Sequence, residues 1–287
     1  MQGRIVKGIG GFYYIQTEQG TIECRARGVL RKLGITPLVG DIVELELDSK
    51  GNPALSRILP RKNKLVRPSV SNLDQIVIVA AVSAPAPDPM LLDKMLVAAE
   101  VRGIPAVLCF NKTDLGEGED LIASYCKSGY PVLSVSAARG EGVEQLAFLL
   151  NGKLSALAGN SGVGKSSLLN CLLPDAVLET GSVSRIERGR HTTRHTELLA
   201  LPGGGWVMDT PGFGSFEVDQ MAQSELKYHF PEFSSYQEQC RFRGCNHIGE
   251  PDCAVAKAAE QGEISPLRLE SYRALFAQLK DYKEWKK

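Results

Sequence analysis

The stretch GNSGVGKSS, Gly159 to Ser167, constrains the fold of this chain more than any other. It matches G-x-x-x-x-G-K-[ST], a pattern that turns backbone N–H groups onto phosphates at a helix N-terminus. The motif needs a buried strand before it and a helix after it. Here the apolar run LSALAG leads in and SSLLNCLL leads out. Gly159, Asn160, Ser161, Gly162, Val163, Gly164, Lys165, Ser166 and Ser167 are therefore expected to cradle a nucleotide's phosphates. Lys165 is expected to reach the β- and γ-phosphates, and the Ser166 hydroxyl to ligate Mg²⁺.

A base-reading motif stands ahead of the phosphate loop instead of behind it. Asn111, Lys112, Thr113 and Asp114 follow the apolar run PAVLCF, at a strand end where α/β sheets bind ligands. Guanine presents N1–H and the N2 amino group side by side, and one carboxylate, Asp114, can accept both. Adenine offers no such pair, which disfavours an ATPase. Asn111 would tie neighbouring loops together, and the Lys112 stem would lie over the base. Ser136 and Ala137 end the next strand, where a backbone N–H would meet guanine O6. Downstream, Asp209 would hold Mg²⁺ through water and the Gly212 N–H would sense the γ-phosphate. Between these motifs lies SVSRIERGRHTTRHT, a loop whose Thr192 or Thr193 would close over Mg²⁺ and the γ-phosphate. Base loop, phosphate loop, switch loops is a cyclic permutation of the usual GTPase order. A βα sheet tolerates this when its original ends were near each other.

Three regions follow from the patterning. Residues 1–67 alternate in short stretches broken by glycine and read as a β-barrel of about five strands, with an OB-fold the obvious candidate. They carry 12 Lys/Arg against 6 Asp/Glu in a chain of zero formal charge. That bias suits RNA, or equally a solvated face. Phe12, Tyr13 and Tyr14 would stack on bases, or else form barrel core with one exposed ring. Residues 68–218 alternate apolar strands with amphipathic helices, the signature of a mainly parallel sheet covered on both faces. Residues 219–287 are more polar and mostly helical. There Ser265 and Pro266 open a helix as N-cap and first residue, and Leu269, Tyr272, Phe276 and Leu279 share one face.

Of seven cysteines, Cys240, Cys245 and Cys253 cluster around His247. The MQGRIVKG start has no signal-peptide run, so such a cluster points to metal rather than disulfide. Three thiolates and an imidazole make a closed tetrahedral set, expected to hold one structural zinc. No apolar stretch approaches a membrane span.

Six segments together carry a resemblance: RPSVSNLDQ, NKTDL, GNSGVGKSSLLN, GRHTTRH, DTPGF and CRFRGCNHIGEPDCAV. With the permuted order, they resemble the circularly permuted, small-ribosomal-subunit-dependent GTPases of bacteria, essentially from end to end. The resemblance implies an OB domain, a permuted GTPase core and a zinc domain, in a cytoplasmic monomer. It implies Mg²⁺-dependent GTP hydrolysis to GDP, stimulated by the small ribosomal subunit, with binding to that subunit and its rRNA during late maturation. Alternatively, nucleotide only gates RNA binding and hydrolysis resets the cycle. Where many GTPases place a water-orienting Gln after Gly212, this chain has Phe213, which cannot orient water. His191 and His195 flank the switch threonines, and imidazole can position water near neutral pH. The resemblance favours His191 as the catalytic group, with Thr192, Thr193 and Lys165 beside it.

Overall fold

The computed structural model describes residues 1–65, 68–116, 118–173, 197–209 and 221–284. The expected positions His191, Thr192, Thr193, His195, Gly212 and Phe213 lie outside the described residues.

Short alternating strands close into a barrel at the N-terminus. β1 (Gln2–Ile9), β2 (Phe12–Thr17) and β3 (Gly20–Ala26) form a meander. After the short α1 (Gly28–Lys32) come β4 (Ile42–Leu47) and β5 (Pro53–Ile58). The order β1-β2-β3-β5-β4 closes through the β4–β1 pairing, giving the five-stranded barrel expected. Ile5, Ile15, Val43 and Leu55 are fully buried inside it, because alternate residues of each strand face one side. Tyr13 and Tyr14 pack against this core, half-buried. The Phe12 ring lies under the Arg25 guanidinium, 4.3 Å from its centroid. None of the three is a fully exposed ring.

A buried carboxylate joins the barrel to the chain that follows. The Arg61 guanidinium donates two 2.7 Å hydrogen bonds to Asp41, which also accepts the Ser71 hydroxyl at 2.6 Å. Ser71 belongs to a two-stranded ribbon of β6 (Lys64–Leu65) and β7 (Val70–Ser71).

The middle of the chain forms one sheet. Its strands are β8 (Gln75–Ala81), β9 (Ala106–Asn111), β10 (Val132–Ser134), β11 (Leu154–Ala158), β12 (Leu199–Ala200) and β13 (Trp206–Asp209). In space they run β10-β9-β8-β11-β13-β12, all pairings parallel except β12 with β13. Four helices fall between strands as expected: α2 (Pro89–Val101), α3 (Glu119–Cys126), α4 (Val143–Leu150) and α5 (Lys165–Leu172). β8 is buried along its whole length because both faces are covered. Ile76, Ile78 and Ala80 join Leu92 and Leu96 of α2 in one apolar cluster. Val77, Val79 and Ala81 join Leu146 of α4 and Leu168 of α5 in the other.

Among the described residues that follow, the α-helices are α6 (Ser234–Gln237), α7 (Ala254–Glu260) and α8 (Pro266–Glu284). Leu269, Tyr272, Phe276 and Leu279 are buried on one face of α8, as the 3.6-residue spacing requires. One expectation is corrected. Ser265 precedes α8 and its carbonyl accepts the Leu269 N–H, but its buried hydroxyl has no hydrogen-bond partner among the described residues. A capping hydroxyl serves the N–H groups of the second and third helical residues, here Leu267 and Arg268, and Ser265 bonds neither.

Arg268 lies on the same buried stripe and locks α8 onto α2. Its guanidinium, 1% exposed, donates to Asp93 of α2 and to both carboxylate oxygens of Glu232, at 2.6 and 3.0 Å. The Phe230 ring covers it at 4.5 Å. Removing one partner of a buried ion network strands the other charges, so Arg268→Ala is expected to cost about 3–5 kcal/mol in urea unfolding. A loss below about 1 kcal/mol would contradict the burial of these charges.

Candidate functional site

The two sequence motifs meet at the C-terminal ends of the parallel strands. β9 ends at Asn111 and β11 runs into the loop that begins at Gly159, with only β8 between them. Asn111 is 1% exposed and spans that gap. Its amide donates to the Val163 carbonyl at 2.9 Å, and its side-chain oxygen accepts the Ala137 N–H at 3.1 Å. One side chain thus fixes three loops: base-reading, phosphate and Ser136–Ala137. An Asn satisfies this because it offers a donor and an acceptor on one planar group.

Glycine is required where these loops approach. Gly159 has φ +140°, and a Cβ there would sit 2.1 Å from the Val79 carbonyl oxygen of β8. Gly164 has φ +98°, and its Cβ would fall 2.2 Å from the Asn111 amide nitrogen. Lys165 and Ser166 then open α5 with its N-terminus facing the loop. The Lys165 ammonium donates to the Gly159 and Asn160 carbonyls at 2.8 Å each.

Asp114 is held by a neighbour that sequence reasoning had given another role. The Ser136 hydroxyl donates to an Asp114 carboxylate oxygen at 2.6 Å, and itself accepts the Arg139 N–H at 3.2 Å. That bond, reinforced by the nearby Arg139 and Lys112 charges, holds the Asp114 carboxyl below the usual carboxylate range. Thr113 anchors the same turn through its hydroxyl, which donates to the Val135 carbonyl at 3.0 Å. Lys112 adopts φ 67° and its ammonium donates to the Ala84 carbonyl. Ser136 and Ala137 sit beyond the end of β10, which is shorter than the apolar pattern suggested. Ser136 is instead placed by an isolated bridge to Glu141. β13 ends at Asp209, paired with Leu157 of β11, so this residue reaches the same end of the strands.

The second cluster is at the far end of the chain. The ligand atoms of Cys240, Cys245, His247 and Cys253 all lie within 4.8 Å of one another. His247 Nδ1 is 3.6 Å from Cys240 Sγ and 3.4 Å from Cys253 Sγ. Zinc bonds of ordinary length in a tetrahedron would separate sulfur and nitrogen by about 3.6 Å. Burial pushes the Cys245 thiol up to about 12 and the His247 imidazole down to about 4. The neutral ring is already the form that binds a metal, whereas the buried Cys245 and Cys253 thiols ionise only beside a cation, so the donor set fits one.

Residues the motif did not disclose hold the Cys245–Cys253 loop by its backbone. Lys227 donates to the Cys245 carbonyl at 2.9 Å, Tyr272 to that of Asn246 at 2.6 Å and Arg273 to that of His247 at 3.1 Å. The Glu250 carboxylate collects the N–H groups of Asn246, Ile248 and Gly249. The one sequence signal for them was a tyrosine on the buried stripe of α8.

A phosphate loop and an NKTD loop at the same end of the strands, met in reversed chain order, define a circularly permuted P-loop GTPase. Residues 58–219 match the family model described as RsgA GTPase, and residues 2–54 match the RsgA N-terminal domain. The chain belongs to the RsgA GTPase family. A protein of Caldanaerobacter subterraneus subsp. tengcongensis named small ribosomal subunit biogenesis GTPase RsgA is 50% identical over 98% of this chain and 96% of its own. A protein of the same name from Ruminiclostridium cellulolyticum is 48% identical over 99% and 95%. Among solved structures, YjeQ from Thermotoga maritima superposes with a TM-score of 0.83 at 37% identity, covering 97% of this chain and 98% of that one. YloQ, described as a circularly permuted GTPase, gives 0.80 at 35% identity over 98% and 95%. Among the described residues no helix is long and apolar enough to cross a membrane.

Proposed function

We propose that this protein hydrolyses GTP to GDP and phosphate while bound to the small ribosomal subunit, and that this serves maturation of the subunit. The observation that carries the nucleotide part is Asn111, bonded at once to the phosphate loop and to the Ala137 loop. The subunit part is supported by the relatives that bear that name along their full length.

In this reading Asp114, oriented by Ser136, accepts N1–H and the N2 amino group of guanine. Thr113 shapes the turn, the Lys112 stem lies over the base, and the Ala137 N–H meets O6. The loop Gly159–Ser167 surrounds the phosphates with N–H groups, and the Lys165 ammonium exchanges its two carbonyl partners for β- and γ-phosphate oxygens. Mg²⁺ would be held by Ser166, Thr192 and, through water, Asp209, and when bound it neutralises charge on the phosphates. Thr193 closes beside Thr192, Gly212 senses the γ-phosphate, and His191 positions the attacking water. The barrel of residues 1–67 faces RNA, the core of residues 68–218 turns over GTP, and residues 219–287 form a zinc-stabilised third region. The protein acts as a monomer in the cytoplasm.

The test is release from the subunit. GTP should release bound protein several times faster than a non-hydrolysable analogue does. Equal release rates would mean that hydrolysis does not drive the cycle. For the metal, elemental analysis should give about one zinc per chain, held by Cys240, Cys245, His247 and Cys253. Stripping it should lower the melting temperature by roughly 10 °C or more, because metal binding here is folding energy. Metal-free protein of native stability would contradict a structural zinc.

A further inference from the structure

The barrel grips the chain just past the histidine–threonine segment. In β1 the register against β2 runs Ile5↔Ile15 and then Lys7↔Tyr14, which leaves Val6 unpaired as a bulge. A bulge frees a backbone group from the ladder and re-aims it. The Val6 carbonyl accepts the Leu198 N–H at 2.8 Å. Lys7 and Glu197 form an antiparallel bridge, and the Lys7 ammonium lies 2.9 Å from the Glu197 carboxylate. Leu198 is 4% exposed and joins the apolar cluster that contains Ile5 and Val6. The next residues, Leu199 and Ala200, pair with Val207 and Trp206 of β13, the strand that ends at Asp209. The span from Glu197 to Ala200 is thus held by the barrel on one side and by the nucleotide-site sheet on the other.

We propose that Lys7 and Glu197 are positioning residues for subunit-stimulated GTP hydrolysis: through them the barrel fixes the C-terminal end of the segment that carries His191, Thr192 and Thr193. This rests on the reading of those three residues given above. His191 is six residues before Glu197, and an extended chain covers at most about 20 Å in that length. Anchoring Glu197 therefore restricts how His191 can approach the γ-phosphate. A subunit docked on the barrel acts on the reaction through this anchor. Neither Lys7 nor Glu197 touches nucleotide in this account.

The experiment is a charge swap read as turnover at saturating small subunits. Lys7→Glu and Glu197→Lys should each lower kcat about fivefold, as expected when a partly exposed ion pair becomes a repulsion, with KM for GTP within about twofold of wild type. The double variant, with the pair reversed, should recover to within about twofold of wild type. If Lys7 served only as an RNA contact, the double variant would stay as slow as Lys7→Glu, and the proposal would fall. Single variants with wild-type kcat would overturn it as well. Should a reversal fail to fold, Lys7→Met and Glu197→Gln carry the same test. A double variant no slower than the slower single supports a unit, and multiplied losses contradict it. His191→Ala with undiminished stimulated turnover would instead overturn the underlying reading. An inactive His191→Ala beside an unrecovered swap overturns the clamp alone.

Discussion

His191→Ala is expected to bind GTP with nearly unchanged affinity and to lose turnover stimulated by small ribosomal subunits by about 10²-fold or more. Phe213 stands after Gly212, where many GTPases place a glutamine. A phenyl ring has neither donor nor acceptor, so another group must hold the attacking water. An imidazole titrates near neutral pH and can both accept from a water and orient it. His191 directly precedes Thr192, the residue read as closing over Mg²⁺, whereas His195 lies farther along. His195→Ala should therefore keep most of the stimulated rate. Single-turnover kinetics on subunits separates the two, and undiminished stimulation in His191→Ala would remove it from the chemistry.

Asp114→Asn is expected to weaken GTP binding by roughly 10²-fold or more, because a buried recognition site that loses its matching group is left with unpaired polar atoms. In the proposed reading the carboxylate accepts from both guanine donors; the Ser136 hydroxyl at 2.6 Å steadies it in the ionised form. An amide has one acceptor and one donor end. Its donor would face the guanine amino group and repel it. Xanthine carries a carbonyl at that position, so the same variant should gain affinity for xanthosine triphosphate. Competition binding with the two nucleotides reads this directly. Equal GTP affinity in wild type and variant would show that Asp114 does not read the base.

The sheet was legible because its signals are local. β8 reads as an unbroken apolar run and is buried on both faces, and the helices α2 to α5 follow amphipathic stretches between strands. The meeting of the NKTD and phosphate-loop motifs and of the Cys/His quartet was legible because their spacing is chemically constrained. Their supports were not, since those are long-range. Arg268 meets Asp93 across 175 residues, and Lys7 meets Glu197 across 190. A charged residue on the apolar stripe of α8 was the available hint of the first. Nothing in the sequence pattern marks the Val6 bulge, whose register break appears only once β1 and β2 are paired. Ser265 failed as a hydroxyl cap although its position was right: its hydroxyl is buried without a hydrogen-bond partner among the described residues.

The buried Arg268 network also bears on how the parts move. It holds α8 against α2, so the region with the Cys/His cluster is braced on the GTPase core. The barrel, by contrast, meets Glu197 and Leu198 through the Val6 carbonyl, the packing of Leu198 and one partly exposed ion pair.

The most direct measurement is steady-state GTP turnover with and without purified small ribosomal subunits, with ATP as control nucleotide. The account predicts slow hydrolysis by the protein alone, a rise of about 10²-fold or more when subunits are added, and no turnover of ATP. A GTP rate that subunits leave unchanged, or an equal rate with ATP, would contradict it.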